Sequence, residues 1–580
     1  ASPKENRKLR ELPTASTLLS QHDMQANQVT NLKGLTALVP NLFIPDYGSR
    51  LTSAIYIRGI GSRINTPSVG LYVDNVPYID KSAFDFNYAD IERIDVLRGP
   101  QGTLYGRNTM GGLIRVHTKS PFSYQGTDLR LSAGTYGNYN ASVTHYHRMS
   151  EQFAFSVGGF YEHADGFFKN SALNNKKIDR SNPGGGRIRS IYLPTENLKL
   201  DFNVNYEYSD QGGYPYFYTG KVNEEERKED TRKDKIGLIS YNDESSYYRS
   251  LLNASVNIEY QAQNFILSAV TGYQHLKDRM FLDQDFTEKD IFNLEQKQKL
   301  NTISEEIVFK SKPGRRWQWA TGTFGFYQWL HTSGPVLFKR QGVEEMIEDK
   351  ANENFPNSPM APSMKMTINN ETLNIGGSFD TPSLSGAIYH QSTFNDLFVK
   401  GLSATVGLRL DYEKTSMKYR SISEPIDFDF SISMQRPLLN LSDQHMKAPS
   451  TFIGKLSNDY LQLLPKFALQ YEWKKGNSVY ATVSRGYRSG GYNIQMFSDL
   501  AQTEFQRNMM YAVKESEKID DPQYGAMIDK MIDGMIPEAV DVKAATSYKP
   551  EYSWNYEAGA HLTLLESRLW ADLAAFYMDT

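Results

Sequence analysis

Two hydrophobic patterns divide the chain. From Ala54 to Lys119, short apolar runs (Ile55–Ile57, Val69–Val73, Ile94–Leu97, Leu113–Val116) alternate with Gly, Pro, Asn and Asp. That reads as a small, loop-rich β domain with little helix. From Thr127 onward a period of two takes over. Segments such as Asp128–Gly137, Asn140–Met149, Phe153–His163, Leu198–Asp210, Phe265–His275, Trp317–Trp329, Leu402–Glu413, Phe467–Trp473 and Trp554–Leu564 alternate apolar or aromatic residues with Ser, Thr, Asn, Glu and Lys. Neighbouring side chains on a strand point to opposite faces, so each segment has one greasy and one polar side. This predicts a large antiparallel barrel with an apolar exterior and a polar lumen.

The connections give a second test. Short links (Met149–Gln152, Pro194–Leu198, Lys312–Arg316, Phe394–Gly401, Trp473–Ser478, Leu565–Arg568) alternate with long ones (Asp210–Ser250, Thr332–Asp380, Lys414–Leu461, Ser489–Tyr548). Short turns on one side and long loops on the other are the outer-membrane arrangement. A soluble sandwich has no reason to keep that alternation. Within the last long loop, Leu500, Phe505, Met509 and Val513, then Met527, Ile528, Met531, Ile532 and Met535, recur at helical spacing. They predict a pair of extracellular helices, read either as a packed loop or as a lid or partner-protein surface, with an extracellular lipoprotein as the candidate partner. The methionines, Met510 among them, could make an adaptable ligand surface. Internal packing is the favoured reading.

Composition narrows this picture. The 580 residues include no Cys, which excludes a disulfide framework and thiolate metal sites. Lys+Arg 63 against Asp+Glu 67 leaves a net charge of −4, which is not a nucleic-acid-binding profile. Mean hydropathy is −0.54, and no run approaches the roughly 18 apolar residues of a membrane helix. Barrel strands need only about 10 alternating residues each, so membrane insertion stays open. The 37 Tyr and 30 Phe suit interfacial girdles, and suit a large soluble β protein equally well. The opening ASPKENRKLRELP has no apolar signal core and begins with Ala, so a processed or trimmed start is expected.

Arg58 and Arg98 each end an apolar run that should be a buried strand. A guanidinium there needs a carboxylate, because an unpaired buried charge is very costly; the alternative is that both reach lumen water. No catalytic constellation is legible, so neither an enzyme nor a cofactor is expected. RGIGSR lacks the third glycine of a dinucleotide fingerprint, and LRGPQGTLYGRNT lacks the Lys-Ser/Thr of a phosphate loop. His145 and His147 share a strand face with no third metal ligand evident, and read as lumen-lining residues.

The segments IRGIG (Ile57–Gly61), GLYVDNVPY (Gly70–Tyr78), Ala89–Val116 and YKPEYSWNYEAG (Tyr548–Gly559) resemble, in order, those of TonB-dependent outer-membrane receptors. The resemblance implies a plug (residues 1–120) inside a transmembrane β-barrel (residues 121–580), in the outer membrane of a Gram-negative bacterium. It also implies uptake of a scarce small nutrient energised by the periplasmic TonB protein. The plug arginines would face two barrel glutamates. Glu557 in NYEAG matches the first, and the second is expected on the next returning strand, which this chain does not reach. No convincing TonB-pairing motif stands in Ala1–Glu11, so it is expected upstream. The chain stops inside a rising strand after roughly sixteen strands, where family barrels have about 22. Part of the barrel is therefore expected to lie beyond Thr580.

Ligand contacts are expected on the plug's outward loops (Arg63, Asn65, Tyr78, Asp80) and on the outer barrel wall (Tyr214, Tyr216, Tyr218, Tyr487, Arg488, Tyr492). Aromatic rings with a few polar groups suit a planar, semi-polar ligand; each tyrosine reads equally well as a girdle residue. The stretch Arg485–Asn493 resembles a segment common in ferric-siderophore receptors. A ferric siderophore is the favoured cargo, with cobalamin, thiamine or haem as alternatives. A passive porin or adhesin is the contrasting reading, opposed by the glycine-rich stopper.

Overall fold

Three of the four apolar runs of the first section join one five-stranded sheet, while Tyr56–Ile57 pairs with Leu42–Phe43 outside it. In the computed structural model its strands are β1 (Ser16–Ser20), β2 (Val69–Val73), β3 (Val76–Tyr78), β4 (Ile91–Arg98) and β5 (Gly112–Thr118), in the order β1-β4-β5-β2-β3. The structure describes residues 4 and 8–580, apart from 28, 30, 49, 52–53, 63–65, 88–89, 224–226, 228–229, 357–360, 436–437 and 567. Asp74 and Asn75, both at positive φ (47° and 75°), turn β2 into β3. That is the geometry a two-residue hairpin demands, and Asp and Asn tolerate it. Asp74 then accepts hydrogen bonds from the Thr118 backbone N–H and hydroxyl, tying the hairpin to the end of β5.

Fifteen strands wind round this sheet among the described residues. They are β6 (Gly126–Gly134), β7 (Asn138–Arg148), β8 (Phe153–His163), β9 (Ser181–Thr195), β10 (Leu198–Gln211), β11 (Ser246–Gln261), β12 (Phe265–Asp283), β13 (Phe292–Ser311), β14 (Trp317–Ser333), β15 (Ser383–Phe394), β16 (Leu402–Ile422), β17 (Thr451–Leu463 and Lys466–Lys474), β18 (Asn477–Arg488), β19 (Glu551–Leu564) and β20 (Leu569–Asp579). Each pairs antiparallel with its sequence neighbour. β6 pairs with β7 and β20 with β19, and both lie exposed along nearly all their length.

Two expectations change here. The strand count is fifteen, because residues on both sides of Leu464–Pro465 pair with the single strand β16. Proline lacks the N–H that a continuous ladder needs, so β17 is interrupted without becoming two strands. The long connection read from Lys414 to Leu461 therefore shrinks at both ends, with β16 running to Ile422 and β17 starting at Thr451. His145 and His147 are exposed on the outer face of β7, while Thr144 and Tyr146 turn inward. The two imidazoles stack at 5.9 Å rather than lining the lumen. Parity is set by burying Tyr146 against Tyr124, 6.1 Å away.

The plug core is not self-contained. Leu35, Ile57, Val69, Leu71, Ile94, Val96 and Ile114 pack together, and Leu251, Leu276 and Leu300 from β11, β12 and β13 join the same cluster. A second apolar core stands at the long-loop end. The sheet of Ser363–Ile368, Ile426–Met434 and Leu439–Ala448 packs there with helices α1 (Met496–Lys514) and α2 (Gly525–Asp533). Phe428, Phe430, Phe505, Met509, Met510 and Val513 are buried in it, with Met531 and Met535 packed against it. Met527 is 40% exposed.

Leu300→Ala removes a fully buried leucine shared by plug and wall, and is expected to cost roughly 2–5 kcal/mol. It should appear as faster protease cleavage within residues 8–118 while the barrel's heat-modifiable mobility on gels is unchanged.

Candidate functional site

The chemistry begins where the plug touches the wall. Arg58 sits at φ 56°, an uncommon conformation for a residue with a Cβ. Its guanidinium donates to the Glu557 carboxylate at 2.7 Å and to Asn555 at 3.2 Å, and lies 4.0 Å from the Phe576 ring centre. Both charged side chains are 1% exposed. Glu557 also accepts from the Ala15 backbone N–H and the Tyr480 hydroxyl, each at 2.8 Å, so its two oxygens are engaged. Gly99 makes the room: at φ 92°, a Cβ there would stand 2.7 Å from the Arg58 guanidinium.

Arg98 differs from expectation. Among the described residues its side chain makes no ion pair, and its Nε is buried without a partner. Burial, then repulsion from Arg58, lowers its pKa, and Glu557 only partly opposes this. Glu557 is already held by Arg58, Ala15 and Tyr480, and the second glutamate that the resemblance implies is not among the described residues.

Other charges seat the plug. Lys4 pairs with Glu306 at 2.8 Å beneath the Tyr105 ring, 4.3 Å away. Arg187 of β9 bridges Asp74 and Asp90 at 2.6 and 3.2 Å. Burial pushes the Asp74 carboxyl up, but the Arg189 and Arg187 guanidiniums and the Thr118 hydrogen bonds outweigh it and hold the group well below the usual carboxylate range. Asp85 is likewise buried, and is lowered by Arg50, Lys33 and Arg249. Gly106 (φ 72°) admits the Arg409 guanidinium, which a Cβ would meet at 2.6 Å. Arg409 is held by Asp411 at 2.6 Å.

Above the plug, on the long-loop side, lies a cavity of about 520 Å³. Its floor is plug: Ile79, Asp80, Lys81 and Arg107. Its walls are β12 to β14 and β16, together with the loops that carry Tyr214 and Tyr492. Of the ligand candidates, Asp80, Tyr214, Tyr216 and Tyr492 line it. Tyr78 instead packs in the plug core. Tyr218 donates to Asp230 in its own loop, the buried Tyr487 donates to Asp411 at 3.1 Å, and Arg488 pairs with Glu551. Arg63 and Asn65 lie outside the described residues. The sequence reading missed Gln296, Gln298, Gln328, Phe286 and Arg107, all of which line the cavity. One signal was available: Leu294, Gln296 and Gln298 keep the lumen parity of Leu300, past the point where the outer face turns to Glu295, Lys297 and Lys299.

With this geometry in place, known proteins can be compared. Residues 8–113 match the TonB-dependent Receptor Plug Domain, and residues 72–580 match the TonB dependent receptor-like beta-barrel. The chain belongs to the TonB-dependent receptor family. Members are receptors and transporters of the Gram-negative outer membrane, not enzymes. No helix among the described residues of this receptor is long and apolar enough to cross a membrane, which says nothing against strands. The pesticin receptor of Yersinia pestis is 37% identical over 111 residues, 19% of this chain and 16% of that protein. A vitamin B12 transporter of Vibrio vulnificus is 27% identical over 170 residues, 27% of this chain and 26% of that protein. The alignments thus span well under two thirds of these curated relatives. Among solved structures, the ferric yersiniabactin uptake receptor of Yersinia pestis superposes with TM-score 0.69 at 18% identity, covering 98% of this chain and 72% of that one. The ferric-catecholate import receptor of E. coli in its closed form gives 0.63 at 14%, covering 100% and 75%. At such identities these two establish the fold alone.

Arg58→Ala or Glu557→Ala each strands a buried charge and is expected to weaken plug seating by roughly 3–5 kcal/mol. The double variant should lose less than the sum, measured by calorimetric unfolding in detergent. Acid should act late. Asp74 and Asp85 have folded pKa values below their unfolded ones. Their contribution is fully present above the unfolded value, about 4, and is lost only as pH falls through the lower folded values. The plug transition should therefore hold at about pH 4. In Arg187→Gln the Asp74 part of the loss should be smaller and complete at higher pH across the same calorimetric series.

Proposed function

We infer that this receptor captures a scarce nutrient outside the cell, a ferric siderophore, and passes it through the outer membrane when TonB pulls on the plug. The observation that carries the reading is the cavity. It opens above a closed plug, has the size of a small-molecule site, and mixes rings with amides and hydroxyls. Import requires that the plug yield. Ion pairs between plug and wall can exchange protein partners for water, whereas an all-apolar seam would resist wetting. The base of α1 borders the cavity through Tyr492, Ile494 and Gln495. The outer module therefore reads as a lid over the ligand, in preference to a seat for an extracellular lipoprotein.

Import of cobalamin by the same route is a second reading, favoured by the vitamin B12 transporter among the relatives. A strain lacking the receptor, grown on single iron or vitamin sources, separates the two. Failure on one ferric siderophore, restored by the wild-type gene but not by a copy carrying a plug-to-wall disulfide, is the expected outcome. The cysteine-free chain makes that tether specific. Growth failure on cobalamin alone would select the second reading, and no growth defect on any source would sink both.

A further inference from the structure

The charge of the cavity restricts what it can hold. Its described lining includes two cations, Lys81 and Arg107, and one carboxylate, Asp80. Arg107 faces a further carboxylate, Glu413, at 3.3 Å, with both side chains at most 8% exposed. Among the described residues, positive and negative charges therefore cancel around the floor. The walls answer with neutral groups. Gln296, Gln298 and Gln328 project from β13 and β14. The Gln298 carbonyl oxygen and the Tyr492 hydroxyl are buried with no hydrogen-bond partner. A buried polar atom without a partner is costly, so a turn of either side chain toward the cavity it lines would be rewarded by a ligand donor. Beside them the lining is apolar and aromatic: Tyr214, Tyr216 and Phe286 cluster with Met280, Leu282 and Leu294.

On the reading of the receptor as a ferric-siderophore importer, we propose that its cargo is an iron(III) complex with little or no net charge, of the tris-hydroxamate class, and not an anionic tris-catecholate. Three hydroxamates each bring one negative charge and cancel iron(III), while three catecholates each bring two and leave a trianion. Lys81 and Arg107 are already offset by Asp80 and Glu413 among the described residues, so a trianion entering this cavity would be desolvated with little net positive charge to meet it, which is strongly unfavourable. A neutral complex loses little by entering. Its amide N–H groups suit the Gln298 and Tyr492 acceptors, its carbonyls suit the glutamine NH₂ donors, and its methylene chains suit the Met280–Leu294 wall.

The test is ligand binding to the purified receptor in detergent, followed by tyrosine and tryptophan fluorescence. A linear ferric tris-hydroxamate is compared with a ferric tris-catecholate at about 50 and 500 mM salt, where screening of a charged ligand differs strongly. The hydroxamate complex should bind at least tenfold more tightly, with less than a twofold change across the salt range. Gln296→Lys/Gln298→Lys, checked for folding by circular dichroism, should narrow or reverse that preference. Equal or tighter binding of the catecholate complex by the unmodified receptor would overturn the charge assignment and leave the import reading standing. Binding of neither complex by folded receptor would overturn the import reading itself.

Discussion

A charge taken out of water must meet its opposite, and that constraint shapes the joint between plug and barrel. Arg58 is buried because it closes an apolar strand, and it is tolerable because Glu557 waits on β19. Everything around the pair serves that meeting. Gly99 gives up its side chain so the guanidinium can pass, Arg58 accepts a left-handed backbone, and the Ala15 N–H and Tyr480 hydroxyl fill the remaining acceptor sites of the carboxylate. The glycine of LRGP, Gly99, is thus a space cut for a neighbour's side chain. Gly106 repeats the solution from the other side, with the arginine on the wall and the glycine on the plug.

The same physics explains why a seated plug can still move. A buried ion pair adds little net stability, because desolvation offsets most of the attraction, yet breaking one half of it is expensive. An interface built from such pairs is therefore specific without being irreversibly tight. The apolar share of the joint includes Leu251, Leu276 and Leu300 on three adjacent strands, and continues through Val308 and Tyr389 and through Phe324, Phe326 and Ala387. The flank at β9 and β10 is polar, with Arg187 on Asp74 and Asp90 and with Arg249 and Arg50 on Glu207. Water entering on that flank replaces one set of hydrogen bonds with another, while water entering beside the leucines gains nothing. The polar flank is where opening costs least.

Much of the fold was legible because strand parity and turn chemistry are local. The apolar runs of the plug, the alternation of short and long connections, and the helices α1 and α2 all follow from periods of two and 3.6. The errors share a cause: they depend on what a residue meets across space. Pro465 interrupts β17 without ending it, since Arg409 still exchanges hydrogen bonds with Leu464. His145 and His147 face outward because Tyr146 is the residue that β7 buries. The ligand cavity was least legible. Tyr214, Tyr216 and Tyr492 could be guessed from aromatic runs, but the glutamines of β13 and β14 gain meaning only when the two strands stand side by side.

The cavity's place follows from strand length. About ten residues carry a tilted strand across a bilayer, but β12, β13 and β16 run for 19, 20 and 21. In β13 the strict alternation of buried and exposed residues holds from Thr302 to Lys310 and gives way to half-buried residues on both faces from Phe292 to Gln296. The outer half of the wall therefore stands in water on one side and faces the cavity on the other. Paired charges such as Arg279 and Glu295 are acceptable on its outer surface. A wall freed from lipid can place amides and hydroxyls inside without violating the apolar band below. The overlong strands thus make the chamber above the plug, and the chamber's chemistry is set independently of the membrane that anchors it.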